Sequence, residues 1–524
     1  MAASIPGFYR LLEQLRFSYP LQDAVVHGDA RMDFDTLWQR VNRVASALAA
    51  RGIGEGDRLI WLGKNSPGML EVFLACSRLG AVLCVANWRQ TAAEIAFVLD
   101  DFSPAVVFWQ SQEFEATISE AKATLSHSPA HWVQIDGGDD SYEALVASGS
   151  AEGTQDCAEP DTERALLVLY TAAFGGKPNG AQLSEPGLYL QSLVHVNVFE
   201  ASSDTRTLVS GPTFHIAAWL DILPTFIAGG ALHLARHTAD AADLLRLIHE
   251  ERLTNGTLQP VTATQIAELN RERKLDIRCF RSALNLPDWS EMVSPGPGIS
   301  GCGQTEVVGP VIVGAFAGEG STPFCGRAAP MVQARVIDEQ GKVVAPGEVG
   351  ELVIRGPVAG LGYWNRPELN AERTSAGGWW HTRDLARRDH DGTISFVGPK
   401  AQMLKTGGEN VYASEVENAL RSHPAVAQAA IIGTPDKKWG QLVTAVIVKA
   451  KDVQVSEEEL QEHVRSLIAR YKTPRAFHFT DALPMGPAGV DYKALDKQFG
   501  GGGYPGESST DDSNIGASTT RKNR

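Results

Sequence analysis

The chain has 524 residues, and 43% of them are hydrophobic, so one hydrophobic core would not cover it and at least two domains are expected. A formal net charge of -15 argues against nucleic acid or an anionic membrane as a main partner. The sequence starts without a basic segment followed by an apolar run and has no stretch apolar enough to span a bilayer, so a cytoplasmic location is the simplest interpretation. The six cysteines are scattered without CxxC pairs, which is typical of reduced, mostly buried thiols and predicts no structural metal.

Two local patterns predict elements in the first third of the chain. Asp35 is a candidate N-cap, and apolar residues recur after it at helical spacing until Gly52, which predicts an amphipathic helix. Residues 165–170 form a short apolar run before a glycine-rich turn, which predicts a buried strand that delivers its loop to a ligand. Such patterns indicate an α/β body with layered sheets.

The last hundred residues predict a smaller domain followed by a polar tail. Ser456 and Glu459 form a capping-box pattern, and apolar residues continue at helical spacing as far as Tyr471. With strand-like segments at 429–432 and 444–448, this region predicts a small α+β domain. Residues 500–524 are too polar and too rich in glycine and serine to bury a core, so they are predicted to form a disordered tail.

Four motifs carry a resemblance to a known family: YTAAFGGKPNG at 170–180, GCGQTE at 301–306, HTRDL at 381–385 and LKTGGENVYASEVE at 404–417. With them the chain resembles the adenylate-forming (AMP-binding) superfamily over nearly its whole length, and within it the fatty-acid and related carboxylate CoA ligases. The resemblance implies a large N-terminal layered α/β adenylation domain at 1–397 (the large domain) and a small mobile α+β C-terminal lid at 398–499. It also implies ATP/AMP, Mg²⁺, CoA and a small carboxylate, with an acyl chain, as ligands.

The phosphate-loop motif is only partly preserved. Thr171, Gly176 and Gly180 match the family pattern, and these positions are implied to bind the nucleotide. The hydroxyl and glycine positions at 172–175 are changed, and the family's lysine is Asn179. Lys177 stands at a variable position and is a candidate to replace the lost charge. The alternative is that the loop only connects a strand to the next element.

The other positions that contact the nucleotide in the family are better preserved than the phosphate loop. By resemblance, Thr305 contacts the α-phosphate, Glu306 helps to hold Mg²⁺, Gln304 contributes to the nucleotide site and Asp384 binds the ribose hydroxyls. The adenine-stacking tyrosine of the family is replaced by Cys302. For Glu306 the alternative is a salt-bridged loop carboxylate.

Two further features bear on these positions. Arg383, next to Asp384, is a candidate to pair with it and block ribose binding. The segment at 282–301 is shorter than its counterpart in the family, so part of the adenine pocket is expected to be rebuilt.

His215 matches the family position beside the carboxylate substrate, so the implied catalytic set is Thr305, Glu306 and His215. The alternative for His215 is a satisfied core histidine. Ala218 and Trp219, which follow it, either line the acyl pocket or pack in the core.

The strongest departure is at Val490, where the family has its catalytic lysine. That ammonium stabilises charge on the carboxylate and the α-phosphate, an electrostatic effect typically worth about 100-fold in rate. Lys493 is either a substitute or an exposed helix charge. Pro399 and Ala401 replace the charged residues of the hinge, so the lid rotation of the family is in doubt.

The lid loop, by contrast, is intact. Lys405, Gly407 and Gly408 match positions that in the family face the active site while CoA enters, because small residues let the pantetheine pass close to the backbone. The alternative is that these glycines only form a tight turn.

Three hypotheses follow. The first is a ligase that activates a fatty or related carboxylic acid as its adenylate and transfers it to CoA. The second is an enzyme that performs acyl or CoA chemistry without ATP, and the third is a non-catalytic binding partner of an active relative. The sequence favours the first because Thr305, Glu306 and Asp384 occur together. A homodimer is left open.

Overall fold

The computed structural model describes residues 5–112, 114–138, 141–152, 157–171, 178–236, 239–282, 284, 286, 288–296, 301–314, 325–399, 403–451, 453–486 and 489–502. Over these residues the chain has a mixed α/β fold with a large N-terminal part and a smaller C-terminal part, which confirms the predicted fold class. Residues 503–524 of the predicted tail lie outside the described residues.

The first part of the large domain alternates helices and short strands. Its elements are, in chain order, α1 (Phe8–Ser18), β1 (Asp23–His27), β2 (Ala30–Asp33), α2 (Phe34–Ala49), β3 (Arg58–Leu62), α3 (Pro67–Leu79), β4 (Val82–Val85), α4 (Ala92–Phe102), β5 (Val106–Trp109), α5 (Glu115–Thr124), β6 (His131–Gln134), α6 (Tyr142–Ser148) and β7 (Ala165–Thr171).

The second part begins with helices and strands and continues as a run of strands. Its elements are β8 (Asn179–Ser184), α7 (Glu185–Phe199), β9 (Arg206–Val209), α8 (Ile216–Ile227), β10 (Ala231–Leu234), α9 (Ala241–Glu250), β11 (Asn255–Gly256), α10 (Pro260–Arg273), β12 (Arg281–Ser282), α11 (Trp289–Met292), β13 (Ser294–Pro295), β14 (Gly301–Gln304), a 3-10 turn (Thr305–Val307), β15 (Gly309–Val313), β16 (Cys325–Ala328), β17 (Gln333–Ile337), β18 (Val349–Arg355), α12 (Pro367–Arg373), β19 (Thr374–Ser375), β20 (Trp379–Arg388) and β21 (Ile394–Pro399).

The lid contains a separate set of elements. They are β22 (Met403–Thr406), β23 (Glu409–Tyr412), α13 (Ala413–Arg421), β24 (Val426–Asp436), β25 (Gly440–Lys449), α14 (Glu457–Leu467), a 3-10 turn (Arg470–Lys472), β26 (Ala476–Phe479), β27 (Met485–Gly486), β28 (Gly489–Val490) and α15 (Tyr492–Phe499).

Two mostly parallel sheets and one largely antiparallel sheet build the described part of the large domain. Their strand orders are β6-β5-β3-β4-β7-β8, β11-β9-β10-β1-β2 and β14-β15-β16-β21-β20-β18-β17. The lid has its own sheet, β23-β22-β25-β24, with β26 beside β25. Strand β21 belongs to the large-domain sheet and β22, the next strand along the chain, to the lid sheet.

Burial on both faces explains the apolar strands at the centre. In β3, Leu59 and Trp61 belong to one core cluster, while Ile60 and Leu62 belong to another on the opposite face of the sheet. This is the alternation expected when successive side chains of a strand point to opposite faces. The predicted strand at 165–170 is confirmed as β7, and its residues from Ala165 to Leu169 are buried.

The predicted start of the first amphipathic helix is wrong by two residues. Asp33, not Asp35, is the N-cap of α2, because its carboxylate accepts a hydrogen bond from the N–H of Thr36 at 2.7 Å. Asp35 lies in the first turn and pairs with Arg16 at 2.5 Å. The helix ends at Ala49, shortly before Gly52.

The lid elements follow the prediction with one difference. Ser456 caps α14 by accepting from the N–H of Glu459 at 3.1 Å, and both predicted strands are present within β24 and β25. The helix ends at Leu467, and Tyr471 lies in the 3-10 turn that follows. The six cysteines are free and most are buried, as expected. Across the described ranges, none of the helices is long and apolar enough to cross a bilayer.

Candidate active site

The predicted residues Thr171 and Glu306 meet where β7 ends. The Thr171 hydroxyl donates to Glu306 Oε1 at 3.4 Å, and the Tyr363 hydroxyl donates to the same oxygen at 2.6 Å. Glu306 is buried, and none of the described residues forms an ion pair with it. Both hydroxyls are neutral, so they orient the carboxylate without bringing an opposite charge to it. The predicted salt-bridged alternative for Glu306 is therefore not what the described residues show.

The base of the phosphate-loop motif is fixed by a network that the sequence did not reveal. Arg366 donates to Asn179 Oδ1 at 3.1 Å and to Asp101 Oδ1 at 2.8 Å. The Tyr170 hydroxyl donates to Asp101 Oδ2 at 2.7 Å. Arg366 thus brings a guanidinium to Asn179, the position where the family has a lysine. No local sequence pattern singled out Arg366, because its partners Asp101 and Asn179 are distant in the chain.

The remaining loop residues divide into two groups. Gly176 and Lys177 lie outside the described residues. Gly180 is described and lies within β8, opposite Tyr170 in β7. A Cβ added at Gly180 would approach Val168 to 3.0 Å and the Tyr170 ring to 3.1 Å, so this glycine permits close packing of the two strands.

Gln304 connects Asp384 to the same site. Its side-chain amide donates to Asp384 Oδ2 at 3.2 Å and to the main-chain oxygen of Thr382 at 2.9 Å, while Trp380 Nε1 donates to Gln304 Oε1 at 3.1 Å. Burial raises the pKa of Asp384 to about 7, and the hydrogen bond from Gln304 opposes that shift. Because Gln304 directly precedes the turn of Thr305 and Glu306, the predicted residues Gln304 to Glu306 and Asp384 form one cluster.

Two expectations about this cluster are settled by the described side chains. Arg383 does not pair with Asp384, since its guanidinium binds Glu372, and Asp384 is left to Gln304. Cys302, which replaces the aromatic residue of the family, is buried in the apolar cluster of the antiparallel sheet. Burial raises the pKa of its thiol to about 12, so it is neither a stacking surface nor a nucleophile.

The lid loop is docked on the large domain through Glu409. Its Oε2 lies 2.7 Å from His215 Nε2, and its Oε1 is bound by the guanidinium of Arg89. Burial alone would raise the pKa of Glu409, but the hydrogen bond to His215 and the charges of His215 and Arg89 outweigh it and lower this pKa. His215 is therefore not a satisfied core residue but a contact between the two domains.

The glycines of the lid loop lie at this contact. A Cβ added at Gly408 would come within 2.9 Å of the Gln259 side chain of the large domain. One added at Gly407 would come within 2.7 Å of the Trp439 ring, over which Arg475 stacks at 4.1 Å. Both glycines have positive φ, so a side chain there would be strained as well as crowded.

Lys405 of the same loop interacts electrostatically with the nucleotide cluster. Burial lowers the pKa of its ammonium, and the charge of Asp384 opposes this shift.

A second contact between the domains is buried and ionic. The Lys472 ammonium of the lid lies 2.6 Å from Glu415 of the lid and 3.2 Å from Glu94 of the large domain. Burial alone would lower the pKa of Lys472, but Tyr471 and the two carboxylates outweigh it and raise it. No local pattern singles out this lysine, because its two partners are distant in the chain.

Val490, at the position of the family's lysine, packs inside the lid. It pairs with Met485 in the β27–β28 hairpin and contacts the cluster that includes Ile432 and Leu495. Lys493 is exposed on α15, which agrees with its interpretation as a helix charge. In this structure, therefore, Val490 packs against an apolar cluster of the lid and is not one of the residues of the nucleotide cluster.

Trp219 and Ala218 pack rather than line a pocket. Trp219 is 1% exposed, its ring lies 4.7 Å from that of Phe73, and its indole N–H donates to the main-chain oxygen of Thr213 at 2.7 Å. Ala218 is equally buried. Any acyl pocket along this helix must therefore be formed by other residues.

The comparisons with known proteins agree with this geometry. The sequence profile of a family described as "AMP-binding enzyme" matches residues 16–364, and that of "AMP-binding enzyme C-terminal domain" matches residues 415–489. A feruloyl-CoA synthase from an Amycolatopsis species is 33% identical over 493 residues, which cover 92% of this chain and 96% of that protein. An indoleacetate–CoA ligase from Aromatoleum aromaticum is 30% identical over 483 residues, with 89% and 92% covered.

Solved structures give the same result. A fatty acyl CoA synthetase from Mycobacterium tuberculosis is similar, with a TM-score of 0.66 and 26% identity over 94% of this chain and 98% of that one. An o-succinylbenzoate CoA synthetase from Bacillus subtilis, bound to a product analogue, has a TM-score of 0.78 at 24% identity, with 94% and 98% covered, and supports the fold. The chain therefore belongs to the AMP-binding enzyme family, and it is an ATP-dependent ligase that joins a carboxylic acid to a thiol.

Proposed function

We propose that the protein activates a fatty or related carboxylic acid as its acyl-adenylate with ATP and then transfers the acyl group to CoA. The observation that carries this proposal is the single cluster of Thr171, Gln304, Glu306 and Asp384, which the docked lid loop faces. The names of the relatives support an acid and CoA as the two substrates joined. No observation favours the other two hypotheses, which predict no ATP-dependent turnover.

The nucleotide side of the proposal assigns one task to each member of the cluster. Asp384 accepts the ribose hydroxyls, for which a carboxylate with two oxygens is suited. Thr305 donates to the α-phosphate from the start of its 3-10 turn. Arg366 and Lys405 bring positive charge to the two sides of the cluster and stabilise the charge that develops on the phosphates.

Mg²⁺ fits this site by the chemistry of Glu306. Its buried carboxylate is oriented by Thr171 and Tyr363, and a hard divalent cation prefers such an oxygen together with phosphate oxygens. When bound, the ion neutralises charge on the phosphates. The task of the chain is to hold Glu306 in one rotamer, and the hydroxyl of Tyr363 at 2.6 Å does this most directly.

The lid position supports the second half of the reaction. Glu409 holds the lid loop against His215, and the two glycines before it let the loop backbone pack closely against Gln259 of the large domain and against Trp439. With Glu409 bound to its Nε2, His215 presents the rest of its ring to the carboxylate end of the acid. We assign it the task of orienting the acyl group for attack by the thiol.

The test is CoA-dependent AMP release from ATP, followed with a panel of carboxylic acids. Glu306→Gln keeps the size of the side chain but removes its charge, and it is expected to lower the rate by at least about 100-fold. Glu339→Gln, an exposed carboxylate in the turn after β17, is the matched control and should keep the full rate. AMP release by wild type that is independent of the acid, or no AMP release with any acid, contradicts the proposal.

A further inference from the structure

A cavity of about 180 Å³ lies along α8, and the assignments above do not use it. Its walls come from α8, from the start of β9, from β11 and the residues after it, and from the segment at 281–296. One side is apolar, with Leu220, Pro224, Leu258 and Leu284. The cavity is smaller than the usual pocket for a drug-sized ligand, but it has the same combination of an apolar wall and a few polar groups.

The cavity adjoins the candidate active site at three places. His215 is the N-cap of α8, and Asp221 follows six residues later, about 9 Å along the helix axis. The side chain of Leu220 would lie 2.8 Å from a Cβ at Gly309, just after the 3-10 turn of the nucleotide cluster. Leu258 directly precedes Gln259, the residue that the lid loop touches at Gly408.

The opposite side of the cavity is polar and centred on Asp221. Its Oδ1 accepts from the Thr257 hydroxyl at 2.9 Å and its Oδ2 from the Thr257 N–H at 3.3 Å. The Thr225 hydroxyl donates to the main-chain oxygen of Asp221 at 2.8 Å and is paired with Thr207 at 2.7 Å. Two bonds leave about half of the acceptor capacity of the carboxylate unused.

Among the described residues that line the cavity, none forms an ion pair with Asp221. Arg281 lines the cavity, but its guanidinium pairs with Glu200 at 2.6 Å. Burial raises the pKa of Asp221 to about 7, and the hydrogen bonds from Thr257 oppose that shift. A buried carboxylate without a cation costs free energy, so a ligand that donates a hydrogen bond to it gains more than it would at the surface. Thr257, which lines the cavity and binds Asp221, is itself exposed.

The volume of the cavity limits the size of the ligand that it can hold. An engineered apolar cavity of about 150 Å³ binds benzene, so about 180 Å³ holds one six-membered ring with a small substituent. A long acyl chain would have to place a polar carboxylate against methylene groups, which leaves Asp221 without a donor.

Building on the proposed function, we propose that the acid substrate is short and cyclic and carries a hydroxyl or amine at the end distal to its carboxyl group, and that Asp221 binds that donor. The carboxyl group is then placed near His215 and the ring between Leu220 and Leu258. Asp221 determines specificity and takes no part in the chemistry.

The experiment measures both binding and turnover for three acids of similar length. They are 3-(4-hydroxyphenyl)propanoic acid, its 4-methyl analogue and a saturated straight-chain acid. Binding is measured by calorimetry and turnover by AMP release with ATP and CoA. The wild-type protein is expected to prefer the hydroxyl compound over both others by at least about tenfold in Kd and in kcat/KM, because the methyl group leaves Asp221 unpaired.

Two variants test the role of Asp221. Asp221→Leu is expected to remove or reverse the preference, and Asp221→Asn to reduce it. Asp243→Asn, a change of an exposed carboxylate on α9, is the matched control and should leave the preference unchanged. If a variant at position 221 does not fold, the preference of wild type still decides the inference.

The outcomes separate this inference from the proposed function. Equal binding of the three acids, a preference for the straight chain, or no binding of any acid would overturn the assignment of Asp221. Selective binding of the hydroxyl compound without AMP release would uphold it while the proposed function fails. AMP release that is greatest with the straight-chain acid would uphold the function and overturn the inference.

Discussion

Glu409 of the lid and His215 of the large domain are joined by a hydrogen bond of 2.7 Å at the edge of the nucleotide cluster. Arg89 binds the other oxygen of the same carboxylate, so one lid residue is held by two groups of the large domain. This pair couples the position of the lid to the residue that faces the acid. We infer that, if His215 orients the acid as proposed, the same carboxylate links lid position to the access of the thiol to the acyl group.

Removing the charge of Glu409 should slow thioester formation selectively. Glu409→Gln weakens the bonds to His215 and Arg89, and we expect the transfer of the acyl group to CoA to fall by about tenfold or more. Acid-dependent exchange between pyrophosphate and ATP should change little, because that step does not need the docked loop. Glu457→Gln, on an exposed part of the lid, is the control. An equal loss in both half-reactions would show that the pair does not act on the lid.

Lys472 should be necessary for the stability of the docked lid. Lys472→Met leaves Glu94 and Glu415 buried without their cation, and we expect a loss of about 3–5 kcal/mol in the free energy of unfolding. Urea unfolding followed by tryptophan fluorescence measures it. Adding Glu415→Gln to the first change should restore part of the loss. If Lys472→Met unfolds at the same urea concentration as wild type, the buried ion pairs do not stabilise this arrangement.

Nucleotide binding should depend on pH through Asp384. The pKa of this carboxyl group is raised to about 7, so it gains its charge as the pH rises through that value. The ionised form is the stronger acceptor for ribose hydroxyls, and the affinity for AMP should therefore increase between about pH 6 and about pH 8. Calorimetry with AMP at both pH values checks this. In Asp384→Asn the affinity should be lower and independent of pH, and a parallel increase in the variant would assign the effect to another group.

Asp221 should make the protein less stable as the pH rises. Its pKa is raised from 3.8 to about 7 in the folded state, so its contribution is fully present below about pH 4 and is lost as the pH rises through 7. At 1.36 kcal/mol per pKa unit, the loss relative to Asp221→Asn reaches about 4 kcal/mol. Thermal unfolding of both proteins over this range gives the difference. A constant difference would mean that Asp221 titrates normally.

Restoring a lysine at position 490 tests how much its loss lowers the rate of adenylate formation. Val490→Lys is expected to raise the rate of adenylate formation, because in the family an ammonium at this position stabilises the charge on the carboxylate and the α-phosphate. Acid-dependent pyrophosphate exchange measures it, with Lys493→Met as a control for an exposed helix charge. If Val490→Lys leaves the exchange rate unchanged, the hinge or the changed phosphate loop limits the first half-reaction instead.

Much of the cluster could be predicted from motifs. Thr171, Glu306 and Asp384 were singled out from the sequence, and the structure brings them together with Gln304: Thr171 ends β7, Glu306 lies in the turn after β14, and Asp384 lies within β20. The helical pattern that ends at Gly52 and the apolar run at 165–170 also predicted the layered α/β fold.

Other features depend on pairing between distant parts of the chain. Tyr363 contacts Glu306 across 57 residues, and Lys472 contacts Glu94 across 378, separations that no local pattern reports. The N-cap at Asp33 was missed because Asp33 and Asp35 are the same residue type and are equally suitable as N-caps. Only the backbone conformation decides which of the two carboxylates faces the free N–H groups of α2.

The central claim is that the cluster around Glu306 and Asp384 binds a nucleotide for ligation. Calorimetric titration of the full-length protein with MgATP and with AMP tests it most directly, since it requires no knowledge of the acid. We predict micromolar binding of both nucleotides, with the affinity for MgATP lowered in Glu306→Gln and that for AMP lowered in Asp384→Asn. No measurable binding of either nucleotide to the wild-type protein would contradict the account.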